Sequence, residues 1–236
     1  MGRCETMERI KTYVKGLDEM LQGGVPKNYI VLMVGQPGTM KSSLGYYILY
    51  KNAKHEGRRG VHISLEQSRT SLAMSMKAMG MDITPEIGDK ISILDLAFIR
   101  KKMTQLGTTT WVEVFKMYAR NLKDTMDYEM MVIDSLPVLE TLARFDNPRE
   151  ELFHLFEWLR DLEVTTFVIH EMPQDTNRFA QYGEDFLSDG IIHLDLKREK
   201  ESVNLFLGIA KMRATAHKRG YFPLIYDKRG FEVVVR

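Results

Sequence analysis

Cysteine is nearly absent from this sequence, and long apolar runs are missing altogether. The single cysteine, Cys4, cannot form an internal disulfide and is too isolated for a metal site, which favours a reducing cytoplasm. No stretch reaches the ~18 consecutive apolar residues of a membrane-spanning helix, and the polar first residues lack the apolar core of a signal peptide. The sequence therefore predicts a cytoplasmic protein that does not enter a membrane.

An excess of one charge is lacking too. The chain has 33 basic and 32 acidic residues, which give a formal net charge of +1. Proteins that bind single-stranded nucleic acid usually present a basic strip interleaved with aromatic residues. Here the basic pairs at 197–198, 218–219 and 228–229 are scattered and are typical of solvated turns. The composition argues against a nucleic-acid partner, although a local basic patch could lie within it.

Linkers, repeats and low-complexity tracts are also lacking, so residues 1–236 are expected to form one domain. Short apolar segments rich in Val or Ile alternate with amphipathic ones. This is typical of an α/β domain with a mostly parallel, twisted sheet flanked by helices. After residue 201 the pattern changes to alternating segments between tight turns, which predicts antiparallel strands at the sheet edge. The predicted strands cover 29–34, 61–65, 130–133, 166–169, 190–194, 204–209, 222–226 and 231–235.

A glycine-containing segment between the first predicted strand and a helix has the character of a phosphate-binding loop. Glycine lets backbone N–H groups converge on phosphate oxygens, and the helix adds the positive end of its dipole. Lys41 would reach the β- and γ-phosphates of ATP, and the Ser42 hydroxyl would bind Mg²⁺. The residues expected to hold the nucleotide are Gly35, Gln36, Pro37, Gly38, Thr39, Met40, Lys41, Ser42 and Ser43.

Met40 stands where the strict loop pattern requires glycine. A side chain there is expected to obstruct the tight turn, and the remaining spacing alone also fits an ordinary surface turn. The buried strand before the loop and the helix after it favour the phosphate site.

Two carboxylates follow other predicted strands. Asp134 ends an apolar strand and would hold the hydration shell of Mg²⁺ beside Ser42, or it could cap the next segment. Glu66 follows the strand at 61–65 and would orient and deprotonate a water molecule near the γ-phosphate. The alternative for Glu66 is a solvated strand end. With the loop, the two carboxylates favour a catalytic nucleotide site.

In their order along the chain, these motifs resemble those of the KaiC family of RecA-superfamily ATPases. The resemblance covers nearly the whole chain. Its most specific part is the segment 211–217, Lys-Met-Arg-Ala-Thr-Ala-His, which is close to a family signature. The resemblance implies a RecA-like P-loop NTPase fold, ATP or ADP with Mg²⁺ as ligands, and a homohexameric ring. Other matching segments are 16–18, 23–26, 35–42, 64–66, 132–135, 182–183 and 188–190.

The resemblance also implies that ATP lies between two subunits. Lys211 and Arg213 of the neighbouring subunit would then act in trans on the γ-phosphate, as an arginine finger does, an effect of about 10³ to 10⁵ in rate elsewhere. His217 would lie near the same nucleotide. From the residues alone, Lys211 and Arg213 are a polar face at alternate positions of an edge strand.

Three hypotheses about function follow. The first is a slow ATPase whose nucleotide state sets its assembly or its binding of an unknown regulatory protein. The second is a nucleotide-binding regulatory module with little hydrolysis, which Met40 and Gln67 motivate, because many family members carry a second Glu at the position of Gln67. The third is a RadA-like DNA-dependent ATPase of the same superfamily. A further departure, Ala214 for the signature glycine, is expected only to stiffen its strand slightly.

Overall fold

The computed structural model describes residues 7–96, 98–99, 110–172, 178–199 and 202–235; Cys4 lies outside them. The strands are β1 Arg9–Ile10, β2 Val25–Pro26, β3 Ile30–Gly35, β4 Gly60–Ser64, β5 Ile91–Asp95, β6 Met130–Asp134, β7 Thr165–Glu171, β8 Gly190–Glu199, β9 Ser202–Met212, β10 Tyr221–Asp227 and β11 Gly230–Val233. The helices in the described residues are α1 Leu17–Met20, α2 Lys41–Glu56, α3 Arg69–Ala78, α4 Pro85–Gly88, α5 Trp111–Met126, α6 Leu136–Ala143, α7 Pro148–Asp161 and α8 Glu184–Leu187.

One nine-stranded sheet organises the chain, in the order β11-β10-β9-β8-β3-β7-β6-β4-β5. The strands from β8 to β5 in this order are parallel to their neighbours. β8 to β11 are joined by antiparallel pairing. The expected α/β fold, a mostly parallel sheet with antiparallel C-terminal strands at its edge, is therefore confirmed.

The central strand β3 shows why the sheet is covered on both faces. All of its residues are buried, and successive side chains point to opposite faces of a strand. Val31 and Met33 accordingly pack into the core beneath α2, whereas Leu32 and Val34 pack into the core beneath α7. None of the described helices is long and apolar enough to span a membrane.

The end of β9 corrects two sequence expectations. β9 lies between β8 and β10 rather than at the sheet edge, and it ends at Met212, so Arg213 follows the strand instead of belonging to it. Ala214 has φ 49°, in the left-handed region that favours glycine. It therefore forms part of a turn after β9 and does not stiffen a strand.

Candidate nucleotide-binding site

The carboxyl ends of β3, β4, β6 and β7 meet at one edge of the sheet, because these strands are parallel and adjacent. Ligands of open α/β sheets bind at this edge. A cavity of about 290 Å³ lies there. It brings together the loop, Glu66 and Asp134, which the sequence placed in one site. Its lining residues are Pro37, Gly38, Thr39, Met40, Lys41, Ser42, Ser43, Glu66, Asp134, Ser135, Ile169 and Glu171.

The loop from β3 to α2 is packed closely at its start. A Cβ atom on Gly35 would lie 2.3 Å from the carbonyl oxygen of Leu194 and 2.8 Å from Oγ1 of Thr39. Thr39 is fully buried, and its hydroxyl donates to the carbonyl oxygen of Gln36 at 2.8 Å. Glycine is therefore required at position 35 by close packing.

Met40 lies directly before α2 with φ 64° and ψ 24°. This is the left-handed conformation, which costs a residue other than glycine roughly 1–2 kcal/mol. The Met40 side chain packs against the core on the α2 side of the sheet. The backbone therefore forms the turn with methionine in place of glycine, and the Met40 side chain does not obstruct it as expected.

The amino end of α2 opens into the cavity. The first N–H groups of a helix have no carbonyl partner within it, and residues 41–43 supply three of them beside the lining side chains. Backbone N–H groups and a helix dipole at the end of a sheet suit phosphate oxygens. The loop therefore has the donors that a nucleotide phosphate needs.

Lys41 is held inside the loop. Its Nζ donates to the carbonyl oxygens of Gly35 and Gln36, each at 2.9 Å. Burial lowers the pKa of the Lys41 ammonium, although the carboxylates of Glu171, Asp134 and Glu66 act in the opposite direction. The ammonium thus lies among three carboxylates, poised to contact an anion that enters the cavity.

Glu66 is connected to the strand that carries Asp134. The Ser135 hydroxyl donates to Glu66 Oε1 at 2.7 Å. Ser135 is almost fully buried, whereas Glu66 is exposed to the cavity. One oxygen of the carboxylate is thereby fixed, and the side chain lines the cavity. The sequence predicted Glu66 as a site residue but assigned no such contact to Ser135.

Asp134 is buried at the end of β6. Its Oδ2 lies 3.3 Å from Nε2 of His62, which is fully buried on the neighbouring strand β4. Asp134 and Ser42 line the same cavity. A carboxylate and a hydroxyl are ligands that suit Mg²⁺, which keeps most of its own water. The donor set at this edge therefore fits a magnesium ion bound to a nucleotide.

Glu171 is a cavity residue that the sequence reasoning missed. It pairs with Gly35 at the end of β7, on the strand next to the loop. The predicted strand ended at Ile169, two residues too early, so the carboxylate was not counted among the strand ends. The available signal is that a parallel strand extended past His170 places the Glu171 carboxylate at the same edge of the sheet as the loop.

Lys211 and Arg213 lie away from the cavity. Through the pairing of β9 with β8 and of β8 with β3, Lys211 is level with Leu32, whereas the loop begins at Gly35. Strand spacing and rise put the Cα atoms of Lys211 and Gly35 on the order of 14 Å apart. The two basic residues thus lie toward the amino ends of the parallel strands, and neither is among the residues that line the cavity.

Both basic side chains have partners near that opposite edge. Lys211 Nζ donates to the carbonyl oxygen of Asp185, the second residue of α8, at 2.8 Å. It also donates to the carbonyl oxygen of Ser188, which directly follows α8, at 2.6 Å. Burial, together with Arg213, lowers the pKa of Lys211. Arg213 Nη1 forms an ion pair with Asp189 Oδ1 at 2.8 Å, and half of the Arg213 side chain is exposed.

Asp189 has a second role. Its Oδ2 accepts a hydrogen bond from the backbone N–H of Ile30, the first residue of β3, at 3.1 Å. The backbone N–H of Arg213 also donates to the Asp189 carbonyl oxygen at 2.9 Å. Asp189 therefore joins the start of the central strand to the segment that carries Arg213.

His217 belongs to the segment after β9 that packs near α1. The neighbouring Lys218 N–H donates to the Met20 carbonyl oxygen, and Ala216 N–H donates to the side chain of Gln22. The Nδ1 atom of His217 is buried and has no hydrogen-bond partner in the described part of the chain. His217 is not among the residues that line the cavity of its own subunit.

The comparisons with known proteins agree on one family. A sequence model of the KaiC ATPases matches residues 10–236. A UPF0273 protein of Pyrobaculum aerophilum is 30% identical, and the match covers 97% of this chain and 83% of that protein. The circadian clock oscillator protein KaiC 1 of Synechocystis is 28% identical over 96% of this chain, which spans only 44% of that relative.

A solved structure provides the match in three dimensions. The KaiC-like protein from the hyperthermophilic archaeon Pyrococcus horikoshii superposes with a TM-score of 0.83 at 29% sequence identity. The superposition covers 98% of this chain and 100% of the other. The likeness therefore extends over a whole structure of similar size, in contrast to the clock protein, of which less than half is matched.

Proposed function

This chain belongs to the KaiC family of ATPases, and on that basis we propose that it binds ATP with Mg²⁺ and hydrolyses it slowly at sites completed between subunits of a homo-oligomeric ring, a hexamer by resemblance. The observation that carries the proposal is the cavity at the carboxyl edge of the sheet, lined by the loop after β3. There the phosphate-binding loop, Glu66 and Asp134 converge. We further propose that residues 1–236 form one domain of this type, with a regulatory role.

Within one subunit, the roles follow from charge and reach. The loop N–H groups and Lys41 would hold the β- and γ-phosphates, and Ser42 and Asp134 would hold Mg²⁺, directly or through water. The ion would neutralise charge on the phosphate oxygens. Glu66, fixed at one oxygen by Ser135, would accept the proton of the water that attacks the γ-phosphoryl group.

Arg213 is the strongest reason to propose a ring. It lies toward the amino ends of the parallel strands, whereas the cavity opens at their carboxyl ends. An arginine that cannot reach the phosphate of its own subunit can still reach that of a neighbour if subunits meet head to tail, the arrangement that closes into rings. Its half-exposed guanidinium is held by an ion pair with Asp189 at 2.8 Å and by a longer hydrogen bond from Nη2 to the Phe186 carbonyl oxygen at 3.3 Å. Exposed ion pairs of this kind are typically worth about 0–1 kcal/mol.

Lys211 has a different environment from Arg213. It is partly buried and donates to several backbone carbonyl oxygens around α8. These contacts would have to break before the ammonium could reach a neighbour. We therefore propose that Arg213 contributes the larger part of any trans stabilisation, and that Lys211 fixes the segment from which it reaches.

Mixed rings would test both the activity and the trans arrangement. Glu66→Gln and Arg213→Ala are each expected to turn over ATP far more slowly than the wild type. When the two variants are unfolded and refolded together, some interfaces place the Glu66 of an Arg213→Ala subunit opposite the Arg213 of a Glu66→Gln subunit. Such an interface contains both functional side chains and is intact. About a quarter of the interfaces in a random one-to-one ring should then regain activity.

The control is a mixture of each variant with itself, which should regain nothing. Equal turnover in the wild type and both variants would remove the catalytic proposal. Low turnover in both variants with no recovery on mixing would leave the enzyme but remove the trans role of Arg213. The first outcome concerns the function itself, and the second concerns only the assembly.

The second candidate function is a nucleotide-binding regulatory module with little hydrolysis. The strained backbone of Met40 and the engagement of Lys41 with the carbonyl oxygens of its own loop favour it. ATP bound tightly and recovered unchanged after hours with Mg²⁺ would support this candidate over the ATPase. Phosphate release that depends on Glu66 would exclude it.

A further inference from the structure

A second group of titratable side chains is buried behind the candidate nucleotide site. Glu140 lies on α6, His170 lies near the end of β7, and Glu184 is the first residue of α8. One ligand atom from each of the three lies within 4.8 Å of the other two. His170 is 3% exposed and Glu184 is 0% exposed. None of the three lines the nucleotide cavity.

The hydrogen bonds of His170 fix which nitrogen faces the carboxylates. Its Nδ1 lies 2.7 Å from the carbonyl oxygen of Glu171, so this nitrogen must carry a hydrogen and donate it. In the neutral ring, Nε2 then presents a lone pair, and it points at Glu184 Oε1, 3.1 Å away. Two acceptors facing each other need a proton or a metal ion between them.

The two carboxylates need positive charge. Glu184 Oε2 accepts the backbone N–H of Tyr182 at 2.8 Å, which leaves Oε1 for His170. Glu140 Oε1 is buried and has no hydrogen-bond partner within the described residues. In the described part of the chain, no lysine or arginine is paired with either carboxylate.

We propose that Glu140, His170 and Glu184 form a binding site for one divalent transition-metal ion of the Zn²⁺ type. Two carboxylates and a neutral imidazole would balance the ion's charge. Ligand atoms about 2.1 Å from one ion and at the tetrahedral angle that Zn²⁺ prefers are about 3.4 Å apart, close to the 3.1 Å between Nε2 and Glu184 Oε1. A backbone carbonyl that accepts the other ring N–H is the usual way in which a metal-binding histidine is oriented.

The site would connect three elements, of which β7 reaches the nucleotide cavity. His170 precedes Glu171, which lines that cavity. Glu184 begins α8, whose last carbonyl oxygens receive the Lys211 ammonium. A bound ion would therefore hold α6, β7 and α8 together, with Glu171 on one side and Lys211 on the other. The site itself does not depend on ATP binding or hydrolysis.

Zinc binding to the full chain tests the proposal. Protein stripped with EDTA and freed of the chelator should take up one Zn²⁺ per chain in equilibrium dialysis without nucleotide. Ser42→Ala should do the same, because Ser42 belongs to the nucleotide site. His170→Gln and Glu184→Gln should lose this one equivalent. Saturating Zn²⁺ should raise the Tm of the wild type by roughly 5–10 °C and leave the Tm of His170→Gln unchanged.

His154 provides a matched control. It lies 3.1 Å from Glu157 on α7, nearly the same distance as in the buried pair, but both side chains are exposed. His154→Gln should retain the bound Zn²⁺. If His170→Gln and Glu184→Gln do not fold, Glu140→Gln provides the test, because it is a milder change at a half-buried position. It should weaken Zn²⁺ binding at least tenfold.

Two results would overturn the proposal. The first is folded wild-type protein that takes up less than half an equivalent of Zn²⁺. The second is equal uptake by the wild type and by folded His170→Gln. Either result would assign the cluster to a shared proton, in which His170 and the carboxylates balance one another without a metal.

Discussion

Ser135 follows Asp134 directly, and its hydroxyl is the contact that orients Glu66. We expect Ser135→Ala to lower kcat for ATP hydrolysis about tenfold with little change in KM, because the loss would affect the base and not the phosphate contacts. Steady-state kinetics with ATP and Mg²⁺ would measure both constants. Thr141→Ala on α6 is the control, since its hydroxyl donates only to the Pro137 carbonyl oxygen.

A Ser135→Ala enzyme with the kcat of the wild type, alongside an inactive Glu66→Gln enzyme, would contradict the orienting role. A rise in KM without a fall in kcat would instead indicate that Ser135 contacts the nucleotide. The two constants therefore separate orientation of the base from substrate binding.

Residues at the end of a strand or in the loop after it could be located from the sequence. Lys41, Glu66 and Asp134 each come after a short apolar segment, and parallel strands bring their carboxyl ends to one edge. The contacts between these residues could not be located. The pairing of Ser135 with Glu66 joins two strands that are distant in sequence, and the Glu140, His170 and Glu184 cluster depends on how α6 and α8 pack. Sequence patterns specify neither arrangement.

At the level of elements, the turn into α2 is where sequence pattern and backbone differ most. The pattern shows that glycine is missing at position 40, but not that methionine adopts the left-handed conformation there. We expect Met40→Val to lower the free energy of unfolding by about 1–2 kcal/mol, because a β-branched residue fits that conformation poorly. ATP affinity should fall with it, since the loop N–H groups would shift.

Met40→Gly is the matched comparison. Glycine relieves the backbone strain, but it adds freedom to the unfolded chain and loses the packing of the Met40 side chain. The free energy of unfolding should therefore change by less than about 1 kcal/mol, with ATP affinity nearly unchanged. Urea denaturation and nucleotide titration would measure both. A Met40→Val protein as stable and as tightly binding as the wild type would refute the account of this turn.

The strands that the sequence missed share a physical cause. β1 and β2 have two residues each, too short for a periodic pattern, and they pair only with each other. β5 is the outermost parallel strand and is only partly buried, so it lacks the continuous apolar character of the central strands. Strands buried on both faces were predicted well, because their sequences are apolar throughout.

At the level of the whole molecule, the two edges formed by the ends of the parallel strands carry different groups. The carboxyl edge carries the phosphate-binding loop, and Arg213 lies toward the amino edge. We expect native mass spectrometry to detect a ring-sized oligomer whose fraction increases with ATP and Mg²⁺, because nucleotide would add contacts across each interface. Lys41→Ala should abolish the nucleotide-dependent increase.

A strict monomer under every condition would remove the basis for a trans role of Lys211 and Arg213. A ring of constant size with and without nucleotide would keep that role, but would show that assembly does not report nucleotide state. The sequence alone could not distinguish these cases, because the two edges become visible only after the strands are placed in order.

Asp189 has a consequence for such a ring. One of its oxygens holds Arg213, and the other holds the first N–H group of β3, the strand that leads to the phosphate-binding loop. If Arg213 turned toward the nucleotide of a neighbour, this carboxylate would lose its cation while it still anchored the strand. Nucleotide occupancy at the neighbour's site would then be coupled, through the Asp189 carboxylate, to the geometry of the phosphate-binding loop in the subunit that supplies Arg213.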